Sequence, residues 1–112
     1  MITDSITQIG DTQYVLVDTT ANVVTFTTTT NTFYITNGSD SRDTYVGVFD
    51  NYDQAAAITT SGDPLLPSES KVIQGSFDPS IEPRVVYAGL ITTTLEPGQD
   101  EGVFIAPVIV KV

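Results

Sequence analysis

The chain of 112 residues has no cysteine, no histidine and no tryptophan, and only four basic residues. Each absence removes a class of chemistry. Without cysteine there is neither a disulfide framework nor a thiolate nucleophile, so the core must hold the fold, as suits assembly inside a cell. Without histidine or cysteine, zinc and the other nitrogen- or sulfur-seeking metals lack ligands. Histidine is also the usual base of hydrolase triads, and tryptophan would be expected to line a sugar subsite. No apolar run approaches the roughly 18–20 residues of a membrane-spanning helix. The start, "MITDSITQIGD", has no basic residue and no continuous apolar segment, so it is not expected to act as a signal peptide.

Charge of one sign is scarce. Fourteen acids against four bases give a formal net charge of −10 with only 16 % charged residues. Such a surface cannot neutralise a phosphate backbone, which argues against nucleic acid as a partner. Binding to a membrane surface loses its electrostatic term for the same reason. The acidity reads first as solubility through repulsion, and second as complementarity to a basic surface on a protein partner.

What is present is alternation. Apolar and polar residues alternate over 13–18, 22–28, 32–37, 44–49, 70–76, 84–92 and 103–111, and more weakly over 55–60. Turn-forming clusters separate them, such as Asn37-Gly38-Ser39-Asp40, Ser61-Gly62-Asp63-Pro64, Asp78-Pro79-Ser80 and Glu96-Pro97-Gly98-Gln99. Threonine is abundant, and its branched Cβ suits a pleated strand. Helix is expected for at most one turn, within 50–57, because Thr59, Thr60 and Gly62 follow too soon for a longer one. The fold class is therefore all-β: an antiparallel sandwich, Ig-like or jelly-roll-like, of seven to eight short strands, with an open barrel as the alternative. One domain is expected over residues 1–112, with 1–11 as an extended N-terminal arm.

The inward set is expected to include Val15 and Val17 (or Tyr14 and Leu16), Val24, Phe26, Phe33, Ile35, Val46 and Val48. The later strands would add Val72, Val85, Tyr87, Phe104 and Val108. Strands 84–91 and 103–110 are apolar on both sides, and such strands are either central or covered by another subunit. The stretch "FIAPVIV" carries Pro107, which removes a ladder donor. It is expected to form an edge packed against a neighbour, or else a buried final strand with a bulge. Phe104, Ile105, Val108, Ile109 and Val110 are the candidate assembly contact.

Other motifs are weak. Asp40, Asp43, Asp50 and Asp53 offer oxygen ligands but lack the spacing of a calcium loop, so they read as solvated carboxylates, and no metal or cofactor is expected. Nothing in the spacing selects a catalytic pair of acids, and no enzyme activity is expected. Asn37-Gly38-Ser39 matches a glycosylation acceptor but reads as turn chemistry, with Asn37-Gly38 supplying positive-φ positions. "GDPLLPSESKVIQG" reads as a proline-stiffened loop feeding a strand, anchored by Leu65 and Leu66.

The order of these pieces resembles a known group. "FYITNGS" leads to "TYVGVF", then to "GDPLLPSESKVI" and "RVVYAGLI". This is similar to small β-sandwich virion proteins of tailed bacteriophages, in capsid decoration, fibre and adaptor roles. The resemblance spans about 32–90 and departs at Ser68, where the pattern more often has glycine. It implies a structural role in the virion, assembled in the host cytoplasm, and carries no catalytic site. The first function expected is a head decoration or cement protein that binds the major capsid protein or another virion protein, as a dimer or trimer. The alternative is a carbohydrate- or receptor-binding module of a tail appendage, with Tyr14, Tyr34, Tyr45, Tyr52 and Tyr87 as candidate stacking rings.

Overall fold

The computed structural model describes residues 5–39, 42–93 and 102–111, with the backbone alone at 5, 110 and 111. Among the described residues nine strands form: β1 (Ser5–Gln8), β2 (Gln13–Leu16), β3 (Asn22–Thr28), β4 (Thr32–Asn37), β5 (Thr44–Phe49), β6 (Asp63–Leu65), β7 (Ser70–Gln74), β8 (Arg84–Thr92) and β9 (Gly102–Lys111). One short helix, α1 (Tyr52–Ala56), lies between β5 and β6. No helix among the described residues is long and apolar enough to cross a membrane.

The strands build two antiparallel sheets. One has the order β1-β9-β4-β7, with β2 also paired to β9, and the other has the order β3-β8-β5-β6. From β2 onward the chain crosses between sheets at every step except β5 to β6. That is the strand order of a jelly roll, so of the two expected sandwich types the Ig-like one is set aside.

The core lies between the sheets. It takes Val24 and Phe26 from β3, Phe33 and Ile35 from β4, Val46 and Val48 from β5, and Val86, Ala88 and Leu90 from β8. β9 adds Val103 and Ile105. The Phe26 and Phe33 rings, one from each sheet, meet at 4.9 Å between centroids in a tilted pair, a contact worth about 0.5–1.5 kcal/mol beyond area burial. The choice left open in β2 falls to Val15 and Val17, while Tyr14 and Leu16 face outward.

Several expected core residues face the other way. Val72, Val85 and Phe104 are exposed, and Tyr87 sits half-buried on the outer face. Their neighbours Ile73, Val86, Ala88, Val103 and Ile105 hold the core instead. A strand apolar on both sides carries no periodic mark of which side is in, and a one-residue shift turns every side chain over. The 55–60 strand does not form: Ala55 belongs to α1, and Ile58 packs in the turn behind it. Two strands had no expectation of their own. β6 is three residues containing Pro64, and β1 lies within the 1–11 arm, paired to β9.

The C-terminal strand is not an edge. β9 is central in its sheet, with β4 on one side and β1 and β2 in succession on the other. Gln8 pairs with Val108 and Gln13 with Ile105, so residues 9–12 on one strand face only Ala106 and Pro107 on the other. The Pro107 carbonyl accepts from Ile9 N at 3.0 Å. In an extended residue N–H and C=O point the same way, so the missing N–H of Pro107 faces this bend, where the ladder is already interrupted. The loop before β7 keeps one of its two expected anchors: Leu65 is fully buried, whereas Leu66, next to the turn, is exposed. Glu69 N donates to Leu66 O at 3.0 Å, closing a turn with Pro67 second and Ser68 third. Ser68 has φ 61°, the positive value that a type II turn requires at that position.

Candidate functional site: the open face of the five-stranded sheet

The two sheets treat their outer faces differently. On the four-stranded sheet Gly47 and Gly89 stand opposite each other in register on β5 and β8. Their missing side chains form a floor for α1. A Cβ on Gly89 would collide with the Ala55 carbonyl, and one on Gly47 would come within 2.7 Å of Ile58 Cδ1. The helix is started by Asn51, whose Oδ1 accepts from Asp53 N at 2.8 Å and Gln54 N at 3.2 Å. Ala55 and Ile58 are buried beneath it, and Tyr52 meets Tyr87 edge-on at 5.7 Å.

No described residue covers the outer face of the five-stranded sheet in this way. Ile6, Tyr14, Leu16, Tyr34, Val72 and Phe104 all point out from it, each 38–53 % exposed. The register arranges them in rows: Val72, Tyr34 and Ala106 in one, Thr36, Phe104 and Tyr14 in the next. Tyr14 and Phe104 touch as rings at 4.8 Å. Ala106 is small and stands opposite the 9–12 bend, so a hollow of about 440 Å³ opens over it, walled by Phe104, Val108, Tyr34 and Ile6. No charged residue among those described lines this hollow.

Its threonine hydroxyls and the Gln8 amide nitrogen are already engaged. Gln8 Nε2 donates to Gly10 O at 2.6 Å and to Thr12 Oγ1 at 3.1 Å. Thr36 and Ser70 share a hydroxyl hydrogen bond of 2.8 Å. What the face offers to a ligand is therefore mainly apolar surface. A second, more polar hollow of about 610 Å³ lies at the end of the same sheet, lined by the 29–32 threonine-rich turn, Val72, Gln74, Pro79 and Ile109. There too Thr30, Asn31 and Thr32 satisfy one another and nearby carbonyls.

The candidate contact residues from the sequence divide between environments. Phe104 and Val108 lie on the open face, with Val108 almost fully buried in the wall of the hollow. Ile105 belongs to the central core and cannot reach a partner. Ile109 is exposed at the second hollow, and the side chain of Val110 lies outside the described residues. Sequence reasoning missed Ile6, Tyr14, Leu16, Tyr34 and Val72 as members of one surface. They come from four strands, and only the pairing register joins them. The candidate sugar-stacking tyrosines also divide, Tyr14 and Tyr34 on the open face, Tyr52 and Tyr87 on the covered one.

Asn37 has a different role from the one expected. It is the last residue of β4, does not adopt positive φ, and is 2 % exposed. Its Nδ2 donates to Arg42 O at 2.8 Å and to Leu65 O and Leu66 O at 3.2 Å, while its Oδ1 accepts from Ser39 N at 3.0 Å. The acceptor triplet is thus closed to a glycosylating enzyme in the folded state. Of the candidate metal ligands, Asp53 lies in the first turn of α1 and Asp40 lies outside the described residues. No three potential metal-binding side chains gather among the described residues. No family model, no curated protein and no solved structure matches the chain.

Proposed function

We propose that this domain is a structural virion protein, a phage head decoration or cement protein, that docks on the capsid through the outer face of its five-stranded sheet. The observation that carries the reading is that face: an apolar surface from five strands, with no charged side chain among the described residues of its hollow, whose threonine hydroxyls and Gln8 amide nitrogen are already paired. Burial of an exposed apolar side chain contributes roughly 1.5–3 kcal/mol. The six found here are already about half-buried, so docking would gain roughly half of that for each. Together they would contribute on the order of 4–9 kcal/mol toward the cost of association, and repeated sites on a particle add avidity. Two further points lend support. Jelly rolls serve in viral capsid and lectin domains, an analogy at the level of fold alone. Ser68, where the virion pattern more often has glycine, holds the backbone shape that glycine favours. The reading assigns the domain no reaction and no cofactor.

The test is co-sedimentation with capsid particles of the phage that, on this reading, encodes the chain. Wild type is expected to pellet with them, and Phe104→Asp is expected to stay folded by circular dichroism and remain in the supernatant. A folded wild type that never pellets overturns the reading. One observation favours a second reading, carbohydrate binding: the exposed Tyr34 and Phe104 rings border the hollow, with Tyr14 packed against Phe104. Retention of a neutral oligosaccharide, lost in Tyr34→Ala, would favour it over capsid docking.

A further inference from the structure

We infer that the partner on this face is a different protein, one that presents apolar side chains ringed by lysine or arginine, and not a second copy of this chain. The inference rests on the docking reading above and names the chemistry of the partner. The rim of the face is acidic along β2. Asp11 and Asp18, both exposed, bracket β2 at its two ends. No cation among the described side chains offsets them there, and the side chain of the remaining basic residue, Lys111 at the end of β9, lies outside the described residues. Lys71 is engaged by Glu69 at 3.8 Å and donates to Pro64 O at 2.9 Å. The Arg84 guanidinium stacks 4.8 Å over the Phe77 ring on the way into the other sheet. Arg42 is 4 % exposed.

Two copies brought face to face would set acidic rim against acidic rim, on domains that each carry a formal charge of −10. Like charges juxtaposed across an interface disfavour that partner, whereas opposite charges speed encounter and fix the register. An apolar centre with an acidic rim is therefore complementary to an apolar centre with a basic rim. The dimer or trimer expected from the sequence would need another surface.

The experiment has two arms on the full chain. In sedimentation equilibrium at low salt, wild type is expected to be a monomer; a dimer that Phe104→Asp abolishes would overturn the inference. In co-sedimentation with the capsid particles, binding is expected to weaken about tenfold between low and high salt, and about threefold or more in Asp11→Asn/Asp18→Asn at low salt. Binding that ignores both salt and these substitutions would overturn the basic-rimmed partner while leaving capsid docking in place. A folded monomer that binds no particles overturns both.

Discussion

The outer face of the four-stranded sheet carries a helix from its own chain, and no described residue covers that of the five-stranded sheet. The covered face is built for close approach: Gly47 and Gly89 lie in register, and Ala55 and Ile58 sit down on them. The open face is built from the opposite choice. Tyr14, Tyr34, Phe104 and Leu16 project from it, and the small residue, Ala106, lies at the bottom of a hollow that nothing described fills. Large side chains at one surface and glycines at the other teach the same lesson about sheets. A sandwich closes its core with its inner faces, and each outer face then needs a separate solution. One solution here is internal, and we assign the other to a partner.

The comparison can be broken first within β9, where adjacent residues lie on opposite sides of one sheet. Ile105→Ala empties a fully buried core site and is expected to cost about 3–4 kcal/mol in urea unfolding. Phe104→Ala, on the open face, is expected to cost about 1 kcal/mol or less. Equal losses would mean that the open face is part of the domain's own stabilising core, and the contrast would fail. The next test is the glycine floor. Gly89→Val places a side chain against the Ala55 carbonyl and is expected to destabilise by about 2–3 kcal/mol, by overpacking rather than by a cavity. Ala106→Val, on the open face, is expected to change stability by about 0.5 kcal/mol or less, since the hollow has room for two methyl groups.

Much of this contrast was legible in the chain, and the rest was hidden for a definite reason. Strands 22–28, 32–37, 44–49 and 84–92 stand where they are expected, the first two because threonine alternates there with valine, phenylalanine or isoleucine. The single helical turn followed from Ala55-Ala56-Ala57 after Asp50, with Thr59, Thr60 and Gly62 keeping it short. The faces of β8 and β9 were hidden, because both sides of each are apolar and period two carries no sign. The edge expectation for β9 failed because Pro107 was weighed without the bend at 9–12, which excuses its missing donor. The open face itself was invisible. Ile6, Leu16, Tyr34 and Val72 are far apart in sequence and unremarkable singly, and only strand order makes them neighbours.

A smaller effect is expected at the start of the covering helix. Asn51→Ala removes the acceptor that holds Asp53 N and Gln54 N, and is expected to cost about 1 kcal/mol. Amide exchange should quicken at Asp53 and Gln54 while the amides of β4 and β9 keep their protection. If exchange quickened equally on both sheets, α1 would be holding the whole sandwich together rather than covering one face.

The smallest effect concerns the link between the two sheets. The chain leaves the covered sheet at β6 and enters the open one at β7 through the Leu66–Glu69 turn, where Ser68 sits at φ 61°. A side chain in that region costs an L-residue about 1–2 kcal/mol. Glycine relieves that cost but adds unfolded-state entropy worth about 0.4–1 kcal/mol. Ser68→Gly is therefore expected to stabilise by about 0.5 kcal/mol, raising Tm by roughly 2–4 °C for a domain of this size. The Ser68 N to Ser39 O bond of 2.8 Å is a backbone bond and survives the change. A fall in Tm would mean that the serine is suited to its turn. The likeness of this loop to the virion pattern would then lose the physical reason that links serine here to glycine there.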